Sequence, residues 1–279
     1  MLDRESLLRV AEEVAALDDA DNERLPWSIP VWTSVINEYR ILNILDPVPS
    51  TLAYVDHERV AGLMDALFRL TEAYSITRGP GIGLYLHPIP EPVSSYRVEN
   101  GQPRCTYVKI NVPLANWGPE DGPLCVIEAS HKSQVAYPWS KLDPDWDAPT
   151  KDLHIVEMME GHEHDRPKRD WTTIPGFREL PTKVGDVVLF SESLIHGARK
   201  IARGKRRRGL YFGYGAASCA NWHGVQYSPE LLSRATPRQR QLIAGLHIGF
   251  RYQSTRPEFA LPDDPAYPYY PNSERARLE

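Results

Sequence analysis

Three places in the chain carry residues whose types could do chemistry together. His87 ends the apolar run Gly83-Leu-Tyr-Leu-His87 and is followed by Pro88. His196 lies in GDVVLFSESLIHGA (185–198), where the sequence reads as another strand with the histidine at its end. Arg206, Arg207 and Arg208 open the next apolar run, RRGLYFGYG. A neutral imidazole is the commonest protein metal ligand, and a guanidinium forks onto a carboxylate through two parallel hydrogen bonds. Imidazoles on two strands and an arginine on a third therefore read as a metal centre beside an anion site. Lys109 and Asn111 alternate with Val108 and Ile110, so a strand there sends both polar side chains to one face. Asn111 reads as a ligand-facing polar residue if that face is interior and as a surface residue if it is not. His131 reads as a turn residue bonded to backbone. The cluster His162-Glu163-His164-Asp165, set among Asp, Lys and Arg, reads as solvated loop. Residues 199–208 hold seven basic side chains in ten. One inward arginine suffices for an anion, and the others can face water.

The elements that must position these residues change period along the chain. Leu7, Leu8, Val10, Ala11, Val14 and Leu17 recur at helical spacing, and residues 57–74 repeat the pattern with Asp56 as N-cap. From about residue 75 the apolar runs become short, rich in Val, Ile, Tyr and Phe, and bounded by Gly or Pro, which predicts strands. Residues 228–246 return to helix, with Ser228 capping and Pro229 in the first turn. Residues 132–180 read as a long polar loop holding Trp139, Trp146 and Trp171, and the proline-rich 257–272 as an extended surface tail. Twenty-five prolines, about twice the ordinary share, argue against a helical bundle and for short strands joined by turns. The expectation is one domain over 1–279: a helical part to about 75, a β core from about 75 to 218, then helix and tail.

Composition excludes several classes. A formal charge of −5 argues against nucleic acid as partner. Three widely spaced cysteines make neither a disulfide framework nor a CxxC zinc site. No apolar run approaches the ~18 residues of a membrane span, and the charged N-terminus lacks a signal-peptide core. A cytoplasmic protein without a membrane partner is expected.

The phrases LAYVDHERV (52–60), YRVENGQPRCTYVKINVPL (96–114), EDGPLCVIEASHKS (120–133), GDVVLFSESLIHGA (185–198) and RRRGLYFGYG (206–215) together resemble the phytanoyl-CoA dioxygenase-like family. These are Fe(II)/2-oxoglutarate enzymes. The resemblance runs from about 50 to 250 and implies a mainly β fold with covering helices around a double-stranded β-helix, the jelly roll of cupins. It implies Fe(II) as cofactor, 2-oxoglutarate as cosubstrate, and molecular oxygen and a small organic molecule as partners. The reaction so implied is oxidation, by default hydroxylation, coupled to decarboxylation of the oxoacid to succinate. His196 matches the family's distal metal ligand, and Arg207, eleven residues on, its cosubstrate arginine. His87 stands where the first ligand of a His-x-Asp pair is expected. Ile89 occupies the Asp position and cannot bind iron.

That departure leaves three readings. A carboxylate from elsewhere completes the site, with Glu192 and Glu91 nearest in sequence. On an extended strand Glu192 and His196 would lie roughly 13 Å apart, so Glu192 serves only if the chain bends there. Alternatively iron keeps two histidines and an open position, as in relatives that are halogenases and lack the Asp. In the third reading the fold binds a ligand without iron. An iron enzyme that does not use 2-oxoglutarate is a further rival. Substrate and oligomeric state are not legible, and a homo-oligomer stays open.

Overall fold

A computed structural model describes residues 2–19, 31–35, 38–57, 68–81, 83–88, 96–132, 171–202, 206–216 and 227–243. In order these form helix α1 (Arg4–Asp19), strands β1 (Val31–Val35), β2 (Glu38–Ile41), β3 (Phe68–Arg78), β4 (Leu84–His87), β5 (Tyr96–Glu99), β6 (Gln102–Cys105) and β7 (Tyr107–Pro113), then β8 (Leu124–Ile127), β9 (Phe177–Leu180), β10 (Val188–Ser191), β11 (His196–Ala198), β12 (Arg207–Ala216), and helices α2 (Pro229–Arg234) and α3 (Pro237–Ile243).

The strands build a jelly roll. A six-stranded sheet runs β1-β2-β3-β12-β7-β10, and a four-stranded sheet runs β4-β11-β8-β9, with every ladder antiparallel. Consecutive strands alternate between the sheets through much of the core, as in a double-stranded β-helix. The hairpin β5–β6 stands apart. Its turn, Asn100-Gly101, has φ of 50° and 74°, the left-handed pair that a two-residue hairpin needs.

The larger sheet has an apolar and a polar face. Ile110, Val112, Leu210, Phe212, Leu70 and Ala73 pack outward against Leu7, Val10 and Val14 of α1 and against Leu231, Leu242 and Ile243 of α2 and α3. The helices therefore cover the outside, as their amphipathic spacing requires. Asp18 at the end of α1 fastens that cover: its Oδ2 accepts from Thr77 Oγ1 and, at 2.9 Å, from Arg208 Nε. The inward face carries instead Glu72, Lys109, Asn111 and Arg207, all nearly inaccessible to solvent.

Several elements differ from the sequence reading. The helix expected over 57–74 does not hold at its end, because Phe68 begins the eleven-residue strand β3. Residues 58–67 lie outside the described part. Opposite β12 the register slips between Gly213 and Tyr214, which face Glu72 and Leu70. Thr71 is an extra residue, a β-bulge, so Leu70 and Ala73 point the same way at a helix-like spacing of three. Strands β1 and β2 also lie where a helical part was expected. The helix expected over 228–246 divides at Thr236-Pro237. Ser228 caps α2 by accepting from Leu231 N, whereas Thr236 and Gln239 exchange hydrogen bonds in a capping box that starts α3. Strand β9 falls within the expected loop 132–180, of which 133–170 lie outside the described residues, as do the tail 257–272 and the His162–Asp165 cluster. GDVVLFSESLIHGA is two strands with a turn between, so His196 begins β11 rather than ending a strand.

Candidate metal and oxoacid site

Pairing of β4 with β11 sets His196 directly opposite His87. Their ring centroids lie 4.4 Å apart, and Phe190 of β10 lies 4.8 Å from the His196 ring on another side. His196 is buried, and burial pulls its imidazole down to about 4, so it is neutral across the physiological range. Its Nδ1 lies 2.8 Å from the Leu194 carbonyl. A neutral ring must donate there, which leaves the Nε2 lone pair free, the arrangement found behind metal-bound histidines.

Glu192 reaches the same point because the chain turns after β10. Leu194 N donates to Ser191 O across a tight turn, and Glu192 N lies 3.4 Å from the Tyr107 carbonyl. That bend shortens the extended-strand distance until Glu192 Oε2 stands 3.9 Å from His196 Nε2. Glu192 is buried, and its Oε1 has no hydrogen-bond partner among the described residues. Imidazole nitrogen and carboxylate oxygen are both ligands of first-row divalent metals, so the chemistry of the pair suits one, although no group of three His, Cys, Asp or Glu side chains forms a ready-made metal cluster among the described residues. Ile89 and Glu91 lie outside the described residues.

Arg207 starts β12 on the inward face, 3% exposed, with its guanidinium carbon 3.8 Å from the centroid of the Trp117 ring. Trp117 is fully buried and is itself held by Nε1 donating to the Arg208 carbonyl at 3.2 Å. It has room because residue 209 is glycine: a Cβ there would lie 2.6 Å from Trp117 Cζ2. The neighbouring arginines alternate as a strand requires. Arg206 is exposed, and Arg208 turns outward to Asp18. Asn111 sits opposite Tyr211, 2% exposed, with Oδ1 lacking a hydrogen-bond partner among the described residues. His131, half-buried, lies edge-on to Tyr96 at 4.6 Å and is not brought to the histidine pair by any described contact.

The sequence reading passed over part of this face. Glu72, Tyr74, Ile76 and Arg78 of β3 point inward together, with Tyr74 stacked on Tyr211 at 5.1 Å. Burial raises the Tyr74 hydroxyl well above its usual range. Period-two spacing of Glu, Tyr, Ile and Arg was the available signal, and the helical spacing ahead of it masked it. Lys109, noted only for its face, binds Glu72 and lies 3.7 Å from Glu192 Oε1. Trp117 carried no signal beyond its type.

Comparison with known proteins agrees with this architecture. The family model Phytanoyl-CoA dioxygenase (PhyH) matches residues 92–209, a stretch that holds Lys109, Asn111, Glu192, His196 and Arg207 and begins after His87. The ectoine dioxygenase of Sphingopyxis alaskensis is 28% identical over 128 residues, 44% of this chain, and the match spans only 39% of that protein. The crystal structure of HygX from Streptomyces hygroscopicus with nickel and 2-oxoglutarate bound superposes with a TM-score of 0.58 at 20% identity, covering 79% of this chain and 82% of that one. EctD from S. alaskensis in its apo form gives 0.52 at 20% identity over 85% and 78%. At such identities the solved structures speak for the fold.

Proposed function

We propose that this chain, a phytanoyl-CoA dioxygenase-like protein on a double-stranded β-helix, is an Fe(II)- and 2-oxoglutarate-dependent oxygenase that hydroxylates a small organic molecule. The observation that supports the reading is a pair of imidazoles with ring centroids 4.4 Å apart and a buried carboxylate beside one of them, with a buried arginine on the inward face of the six-stranded sheet. The donor set suits Fe(II): imidazole nitrogen and carboxylate oxygen are the ligands of the two-histidine, one-carboxylate sites of non-heme oxygenases. Nε2 of His196 is left available by its tautomer, and Oε2 of the buried Glu192 carboxylate faces it at 3.9 Å while Oε1 lies toward Lys109.

His87, His196 and Glu192 would hold the metal, which when bound supplies the reactivity that couples dioxygen to the oxoacid. The balance is 2-oxoglutarate, O2 and R–H giving succinate, CO2 and R–OH. Arg207 would take the distal carboxylate of 2-oxoglutarate in a two-pronged charge-assisted bond, its plane held flat by Trp117. Asn111 would donate through its amide to an oxygen of the same molecule. Phe190 excludes water on one side of His196.

A second reading is favoured by one observation: Glu192 is shared between His196 and Lys109, and no ready-made trio of donors is present among the described residues. In that reading the metal keeps two histidines and an open position.

Purified protein loaded anaerobically with Fe(II) is expected to release one succinate per oxygen consumed once 2-oxoglutarate and substrate are supplied, with slower uncoupled turnover from 2-oxoglutarate alone. H196A is expected to stay folded and to lose bound iron and turnover. Wild-type iron content in H196A would remove the metal assignment, and no binding of 2-oxoglutarate to the wild type would remove the cosubstrate. E192Q with full iron affinity and turnover would select the open-site reading.

A further inference from the structure

Lys109 and Glu72 meet although their strands are not neighbours. β12 lies between β7 and β3, so the two backbones are about 10 Å apart, two strand spacings. Gly213 of β12 faces Lys109 on one side and Glu72 on the other. A Cβ at 213 would lie 2.6 Å from Glu72 Oε1 and 2.3 Å from Tyr107 Oη. The bare backbone at Gly213 is the gap across which the two charged side chains join.

The joined pair has a direction. Tyr107 donates to Glu72 Oε1 at 2.5 Å, and Thr71 Oγ1 lies 2.9 Å from Tyr107 Oη, so the Glu72 carboxylate is held by two side chains of β7, Tyr107 and Lys109. An ammonium has three protons. Around Lys109 Nζ stand three acceptors: Glu72 Oε1 in direct contact, Tyr74 Oη at 3.2 Å and Glu192 Oε1 at 3.7 Å. The third is the Glu192 oxygen that lacks a hydrogen bond, while the other oxygen of that carboxylate faces His196 Nε2.

We propose that Lys109, braced by Glu72 across Gly213, is a positioning residue that fixes the Glu192 carboxylate edge-on, so that Oε2 alone is offered beside His196. The inference rests on the reading of Glu192 as a metal ligand and deepens it. A metal centre of this class needs open positions for the two oxygens of the oxoacid and for dioxygen. A carboxylate gripping through both oxygens would fill one of them. An ammonium on Oε1 withdraws that oxygen and keeps the position open. The role is exerted through Glu192, and Lys109 itself touches neither metal nor cosubstrate.

The test uses Co(II) alone as probe, with its dissociation constant and visible d–d spectrum as readouts on the full chain. The main variant is E72Q/K109M, which removes both partners of the direct ion pair and leaves the net charge of the Glu72, Lys109 and Glu192 cluster unchanged. It is expected to weaken Co(II) by about tenfold or more, the usual effect of losing a group that orients a ligand, and to change the spectrum. In an E192Q background the same pair of substitutions should change the constant by less than about twofold, because the residue through which Lys109 acts is gone. K109R, which keeps the cation, should stay within about threefold of wild type. Should E72Q/K109M fail to fold, K109Q is read by the same criteria. If E192Q weakens Co(II) while the Lys109 variants keep the wild-type constant and spectrum, the positioning role is overturned and the ligand reading stands. An equal loss with and without Glu192 also overturns it, marking the effect as structural. If E192Q itself binds Co(II) like wild type, the ligand reading fails and the inference falls with it.

Discussion

At the scale of single residues, Arg207 separates the chemistry from its surroundings most cleanly. It is buried against Trp117 and faces inward, whereas Arg206 is exposed and Arg208 is engaged by Asp18 on the outer face. Removing a guanidinium from a buried carboxylate pair costs roughly 2–5 kcal/mol, and each ~1.4 kcal/mol is tenfold. R207A is therefore expected to raise the apparent KM for 2-oxoglutarate by about 30-fold or more in steady-state assays. R206A and R208A should leave it within about threefold, with R208A lowering the melting temperature instead, since it releases α1. His196 and Arg207 were singled out because their phrases resemble the family's, His196 in the HGA block and Arg207 eleven residues on. Glu192 was legible as a candidate only: extended-strand arithmetic put it far from His196, and the turn through residues 192–195 brings it back. The partnership of Lys109 with Glu72 could not be read, because it crosses an intervening strand between residues 37 apart.

At the scale of elements, β12 does the positioning, and its glycines are the means. Gly209 and Gly213 fall on the inward face, where β12 passes under Trp117 and under the Glu72–Tyr107 contact. The sequence shows these glycines, but only the register says what lies over them. Gly209→Ala would force a Cβ to within 2.6 Å of the buried indole, and Trp117 has little freedom because its Nε1 is tied to the Arg208 carbonyl. Overpacking of that kind typically costs about 1–3 kcal/mol. G209A is expected to lower the denaturant midpoint and also weaken 2-oxoglutarate binding in a direct titration, because the surface on which Arg207 rests is displaced. Unchanged 2-oxoglutarate affinity in a destabilised G209A protein would show that Trp117 does not hold the arginine. The same register sets the faces of β3. Its bulge at Thr71 restores a spacing of three between outward apolar residues, and outward residues are what hydrophobic periodicity detects.

For the whole molecule, what matters is that the proposed site draws its residues from two sheets rather than one. His87 and His196 belong to the four-stranded sheet, and Arg207, Asn111 and Lys109 to the six-stranded one, with Glu192 on the turn that leads from β10 to β11. A β core with covering helices was legible from short strands and abundant proline, because those features report how often the chain must turn, whereas the jelly roll itself was implied by the family resemblance. Which strands pair was not legible, because pairing is decided by contacts distant in sequence. Ligands that bridge the sheets bind only the folded state and must stabilise it, by about 2.7 kcal/mol at a concentration one hundred times the dissociation constant. For a protein of this size that corresponds to roughly 5–10 °C in melting temperature. Anaerobic melts are therefore expected to show one rise with Co(II) and a second when 2-oxoglutarate is added. The pattern in variants tests the division of labour between the sheets. H196A should lose both rises, because in the proposed site the metal as well as the arginine would hold the oxoacid. R207A should keep the first and lose most of the second. A second rise in R207A equal to that of wild type would mean that the six-stranded sheet contributes its cosubstrate grip through another residue.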